Sequence, residues 1–323
     1  MFRFIDWLRA LAAALITNSH YADIWPVSAL ATGGQLGNCL FFLVSGFCLY
    51  HIREAFPRWY AKRALRIYPA RWIASGLNLL RGFFSIGSFT DFLRCFFYPT
   101  RYHFVASIML LYILYYWVRK LQLKTGMDTR LVLGITLAVC VLVYIFVFDT
   151  SSYHIDNVEE GWVRFQFWIS MLAGVRLRER WEQLDGRIRV WEWIALAVLF
   201  VGYFAAKVLV SRCAALSPVQ FLSPLALLLL VYRLAVVAMK LEKQGVFAAV
   251  GRWNLPAKFL AGITLEVYLV QNVIIHHLSS LVFPLNLVVV TVLILAAAWL
   301  AHWLADRLSR GISAVFKSKG ETK

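Results

Sequence analysis

The chain has 323 residues, of which 61% are hydrophobic, 16% aromatic and only 15% charged. A soluble globular fold has no use for that much apolar surface, so the composition excludes that class and leaves a polytopic membrane protein. The net charge of +16 does not indicate a nucleic-acid partner, because the basic residues gather in alternate connections between apolar segments.

Ten apolar segments follow in chain order, at 4–20, 37–52, 71–86, 102–118, 131–148, 162–177, 191–210, 221–239, 258–278 and 283–305. Arg9 interrupts the first and no small-residue cleavage site follows it, so this segment is expected to be retained and not removed as a signal peptide. Arg53, Arg58, Lys62, Arg63 and Arg66 precede the third segment, and similar clusters precede the fifth, seventh and ninth and follow the tenth. The intervening connections carry only Arg94, Arg101 and Arg212, and the one at 149–161 holds Asp149, Asp156, Glu159 and Glu160. Under the positive-inside rule this alternation places both termini in the cytoplasm. The expected fold is therefore all-α, with about ten transmembrane helices, in one membrane domain over 1–310. A short polar cytoplasmic tail is expected over 311–323. The five cysteines show neither metal-ligand spacing nor a disulfide framework and are assigned to packing.

Four groups of residues carry the functional reading. Arg9 and His20 lie eleven residues apart in the first segment. At ~100° and ~1.5 Å per residue they would share a helix face about 16 Å apart. An arginine supplies a fixed charge and a histidine a proton acceptor near neutral pH. The plain alternative is an Arg9 that snorkels beside Asp6, with His20 at the interface. The second group is Phe41-Phe-Leu-Val-Ser-Gly-Phe47, in which Gly46 allows close helix approach and Ser45 can hydrogen-bond across it. Packing is the preferred reading there, since Ser45 has no base nearby in sequence.

The third group is Arg63-Ala-Leu-Arg66, followed by Tyr68-Pro69. Two arginines three apart share a face and can grip phosphates, or rest on anionic lipid headgroups. This stretch reads as a short interfacial helix starting after Pro57 and stopped near Pro69. The fourth is Thr264-Leu-Glu-Val-Tyr-Leu-Val-Gln-Asn272. Here Glu266, mid-segment in the ninth span, needs a partner, with Arg9, Arg63 and His20 as candidates, and Tyr268 lies on the face of Thr264 and Gln271.

In order and spacing these residues resemble the acyltransferase-3 superfamily of integral membrane O-acyltransferases. Arg9 and His20 match its Arg-x10-His motif, Phe41 to Phe47 its FFxxSGF element, and Arg63 to Pro69 the following RxxR loop. Weaker echoes follow at Tyr102 to Tyr112 and Thr264 to Leu269. The resemblance implies transfer of an acyl group, usually acetyl, from acyl-CoA (acetyl-CoA) to a hydroxyl of a cell-surface or lipid-linked glycan, with no metal. It implies a bacterial inner (cytoplasmic) membrane protein whose partners are membrane lipids, the glycan acceptor and separate envelope-assembly proteins. Many relatives append an outer SGNH-type domain; none is expected here. Many also carry histidine where this chain has Gln271.

On that reading His20 is the general base, or a transient acyl carrier, and Arg9 steadies the donor or the developing charge. Arg63 and Arg66 hold coenzyme A phosphates, and Ser45, Glu266 and Tyr268 line the site. The rivals are a transporter of a lipid-linked sugar or small anion, for which the sequence shows no discontinuous helix, and a non-catalytic partner of a glycan-assembly complex.

Overall fold

The computed structural model describes residues 2–98, 100, 102–158, 161–278 and 282–320. Arg101, Glu159 and Glu160, used in the charge reading, and the tail residues 321–323 lie outside the described residues. The protein is α-helical, with no strand among those residues. Its helices are α1 (Arg3–Asn18), α2 (Gly34–Cys48), α3 (Phe56–Leu80), α4 (Phe89–Phe96), α5 (His103–Thr125), α6 (Thr129–Phe146) and α7 (Trp162–Glu179). They continue as α8 (Val190–Arg212), α9 (Leu222–Lys243), α10 (Val246–Ala249), α11 (Asn254–Gly262), α12 (Thr264–Leu278) and α13 (Leu285–Gly320).

Every apolar segment falls on these helices, the ninth on two of them, but not every helix qualifies as a crossing. Among the described residues six stretches are long and apolar enough: Ser28–Cys48, His103–Thr125, Thr129–Phe146, Val190–Arg212, Leu222–Lys243 and Leu285–Ala314. Gly251–Gly262 and Thr264–His276 pass together as a seventh, broken between them. The segments at 4–20, 71–86 and 162–177 sit on α1, α3 and α7. The first of these helices has only 16 residues, and the other two carry several arginines each. Length and composition thus support six or seven crossings where the sequence reading expects ten.

Three further expectations change. Pro69 does not end a helix: α3 runs through it as one element of 25 residues with Pro57 in its first turn. A proline there removes one backbone hydrogen bond, at a cost of about 3 kcal/mol. Side chains beyond Pro69 anchor the continuation. Arg71 donates to Thr100 Oγ1 and the Arg94 carbonyl at 2.9 and 2.7 Å, Trp72 to Phe96 O at 2.8 Å, and Ser75 to Cys95 O at 2.5 Å. The ninth span is discontinuous, stopping at Gly262 and restarting at Thr264. Glycine is a weak helix former, and its position at the end of α11 suits a break. Finally, α13 continues to Gly320, so the expected tail begins as helix.

The chain divides into two compact units. The first comprises Met1–Ala12, Gln35–Ile52 and Tyr115–Ala261. In it α9 packs against α7 and α8, and α6 packs against α7. The α2–α7 contact is made through glycines. A Cβ on Gly46 would collide with the Met171 carbonyl, and one on Gly174 with the Leu43 carbonyl. Backbones therefore meet directly, and Phe42 stacks on Phe167 beside them with ring centroids 4.4 Å apart. The second unit comprises Ala13–Gly34, Arg53–Leu114 and Gly262–Lys323. There α3, α12 and α13 pack on one another, with α4 against α3.

Candidate functional site

The sequence-selected residues divide between the units. Arg9 and Ser45 belong to the first, and His20, Arg63, Arg66, Glu266 and Tyr268 to the second. Arg9 is half-buried on α1, and no ion pair joins it to Asp6 among the described residues. The helix ends at Asn18, before the eleventh step from Arg9 is complete. His20 sits in the turn beyond, its N–H donating to the Thr17 carbonyl at 3.0 Å, with its side chain exposed. The shared-face geometry thus holds only as far as Asn18. Ser45 is 6% exposed, and its hydroxyl donates to Phe41 O of its own helix at 2.9 Å instead of across the interface.

In the second unit, α3, α12 and α13 line an open polar cavity of about 260 Å³. From α3 come Lys62, Leu65 and Arg66, from α12 Glu266, and from α13 His302, Asp306, Ser309 and Ser313 among others. The offsets explain the convergence: 62, 65 and 66 share one helix face, and 302, 306, 309 and 313 share another.

The break at Ile263 organises the charges. Ending a helix frees carbonyls, and starting one frees N–H groups. Arg66 Nη2 donates to the freed Gly262 carbonyl at 3.0 Å. Glu266 falls in the first turn of α12, where a negative charge suits the helix dipole. Its carboxylate is 2% exposed. Oε1 accepts from His302 Nδ1 at 2.9 Å, while Oε2 has no partner. The partner of Glu266 is therefore His302, and not Arg9, Arg63 or His20. That contact fixes the His302 ring through Nδ1 and leaves Nε2 on the opposite edge of the ring.

Arg63 and Tyr268 point elsewhere. Arg63 lies over the Trp59 ring at 4.3 Å and donates to Trp59 O at 3.2 Å. Tyr268 accepts the Phe104 N–H at 3.4 Å and packs on the Phe104 ring. Lys62 pairs with Glu54 and holds that carboxyl below its ordinary range, chiefly through their hydrogen bond. Sequence reasoning missed His302 altogether. The rule that selected Glu266, an ionisable residue inside an apolar segment, applies equally to a histidine between Trp299 and Trp303.

The cavity can therefore pair cations suited to phosphate with an oriented imidazole. Among the described residues no cluster of histidine, cysteine and carboxylates is placed to hold a metal ion. Comparison with curated proteins and with solved structures gave no match. A family model described as an acyltransferase domain, Acyl_transf_3, matches residues 2–305, and the chain belongs to the acyltransferase-3 family.

Proposed function

We propose that this membrane acyltransferase moves an acyl group, acetyl first among the candidates, from cytoplasmic acyl-coenzyme A to a hydroxyl of a cell-surface or lipid-linked glycan. The observation that carries the reading is the family match over residues 2–305, which takes in every motif residue. In this reading the chain crosses a bacterial inner membrane ten times with both ends in the cytoplasm. The alternation of basic connections supports that orientation.

The chemistry needs few groups. The acceptor oxygen adds to the thioester carbonyl as its proton passes to His20. The C–S bond then breaks, and the departing thiolate takes a proton to give coenzyme A and an O-acyl ester. Arg9 stabilises the negative charge that develops on the carbonyl oxygen. Arg66 holds donor phosphates at the cytoplasmic side, and the exposure of its side chain supports this role. Arg63, stacked on Trp59, contributes to the same basic surface. The broken α11–α12 pair favours a transporter of lipid-linked sugars. A transporter leaves the mass of its substrate unchanged, so the product separates the two.

The test is mass spectrometry of surface glycans from cells carrying the full chain or its His20→Ala variant at matched membrane levels. The wild type is expected to add one acyl group per acceptor hydroxyl. The variant should lose about a hundredfold or more of that activity. Full retention by the variant would remove His20 from the mechanism.

A further inference from the structure

The acyl-transfer reading leaves one face of the first unit without a role. There α6 and α9 each pack on α7, and an apolar groove of about 450 Å³ runs between them. Phe165 and Ile169 of α7 form its floor, Val141 and Ile145 of α6 one wall, and Leu225 and Leu228 of α9 the other. The offsets explain the shape: 137, 141, 144 and 145 share a face of α6, as 162, 165, 166 and 169 do on α7 and 221, 224, 225 and 228 on α9. Gln166 accepts from Gln35 at 2.8 Å and donates to Ile155 O at 3.4 Å, and the Tyr144 hydroxyl donates to Pro218 O at 2.8 Å. Neither group is offered to a ligand. The Trp162 and Phe221 rings gather on Tyr144, with centroids 5.6 and 5.4 Å away, at the end of the groove beside the acidic connection 149–161. The alternation of basic connections assigns that end to the outside, and aromatic rings favour the membrane interface.

We infer that this groove seats one acyl chain of an outer-leaflet phospholipid, with the chain along α7 between α6 and α9 and its ester end at the Tyr144–Trp162 rings. Three observations select that occupant. Both walls belong to helices long and apolar enough to cross a membrane, and Val141, Ile145 and Leu225 are exposed, so the groove opens onto hydrocarbon. Its lining holds no glycine, alanine or serine, the residues through which helices approach one another in lipid. A helix spanning the length from Leu137 to Ile145, about 12 Å, fills about 900 Å³ at a diameter of ~10 Å. That is roughly twice the groove, whose volume is that of a site for one small ligand. A chain that enters from the bilayer gains nothing from the hydrophobic effect, because it leaves an equally apolar medium. Dispersion contacts with rings and branched side chains hold it. The seat and the acyl-transfer reading do not depend on each other.

The test strips the detergent-solubilised full chain of lipid and reads its melting midpoint with added dioleoylphosphatidylcholine. Wild type should gain several degrees, and should gain nothing from glycerophosphocholine, which has the same headgroup and no chains. Val141→Trp puts an indole in the groove and should lose most of the gain, and Leu225→Phe on the opposite wall should lower it. Leu142→Trp, one step around α6 and outside the lining, should keep it in full. A phosphatidylcholine with a nitroxide on its acyl chain should show fewer immobilised lipids per protein in Val141→Trp than in Leu142→Trp.

No gain by wild type, or an equal gain from glycerophosphocholine, overturns the inference whether or not the variants fold. Equal gains by Val141→Trp and Leu142→Trp overturn the seat. A polyprenyl phosphate that raises the wild-type midpoint where phosphatidylcholine does not would overturn the phospholipid as occupant. A wild type that sediments as a dimer, with Val141→Trp a monomer, would make the groove an interface between copies and overturn the inference as well.

Discussion

The two units differ in how they treat polar groups removed from solvent. In the first, buried charges meet opposite charges. Lys240 Nζ donates to both oxygens of Glu192 at 3.0 Å and to Arg187 O at 2.8 Å, with Asp185 at 3.4 Å. Arg119 donates to Gln122 and Tyr50 O, and Glu179 gathers Thr129 and Arg176. In the second, Arg71 is 0% exposed and pairs with no carboxylate among the described residues. Glu266 keeps an open oxygen, and both amide atoms of Gln271 lack partners at 0% exposure. Atoms such as Asn38 Oδ1, Tyr153 Oη and Arg164 Nε are open in the first unit too, but its buried Lys240–Glu192 pair is closed. A closed network holds a fold together. An open one is maintained at a cost of about 1–3 kcal/mol per unpaired group, which points to a ligand, water or reaction that completes it.

The sharpest way to break this comparison lies at Lys240. Replacing it with methionine leaves Glu192 buried without its cation, and breaking a buried pair in this way costs about 3–5 kcal/mol. Lys240→Met should therefore unfold at markedly lower temperature in detergent, and Lys240→Met with Glu192→Leu should recover most of that loss. A single variant as stable as wild type would show that the first unit is not held by its charge pairs.

How far the sequence discloses the fold follows from what each signal measures. Hydropathy placed all ten apolar segments on helices because burial in lipid or protein selects the same residues. It does not separate crossings from other apolar helices: length and composition support six or seven among the described residues, and α1, α3 and α7 fall short by length or by their arginines. Pro69 was misread because a proline penalty is local, whereas the anchors at Arg71, Trp72 and Ser75 lie on a partner segment that spacing does not reveal. The break at Ile263 had its signal in Gly262, masked by the apolar residues on both sides. Glu266 was found and its partner missed, because His302 stands 36 residues downstream and only packing of α12 on α13 brings the two together.

The next largest effect is expected at the glycines joining α2 and α7. Gly46→Ala places a methyl group against the Met171 carbonyl, and Gly174→Ala does the same at the Leu43 carbonyl. Backbone cannot turn aside as a flexible side chain can, so the helices must separate. Overpacking of this kind costs about 1–3 kcal/mol. Each variant should lower the melting midpoint of the detergent-solubilised chain. Ser45→Ala, whose hydroxyl bonds only within its own helix, should barely move it. A Ser45 variant that melts normally but loses acyl transfer would return that residue to the site.

The smallest effect separates the two units most cleanly. Gln271 buries an amide with neither atom paired, so stability gains nothing from it. Replacing an unsatisfied buried amide with an apolar side chain of similar size is neutral or mildly stabilising. Gln271→Leu should therefore leave the melting midpoint unchanged or raised by the equivalent of up to about 1 kcal/mol. If the amide serves the second unit's chemistry through water or ligand, acyl transfer should fall in the same variant. Such a split, with stability kept and activity lost, has no counterpart at Lys240, where both fall together. A Gln271→Leu protein that melts several degrees lower would mean that its amide is satisfied in solution, and the contrast between closed and open networks would lose its strongest member.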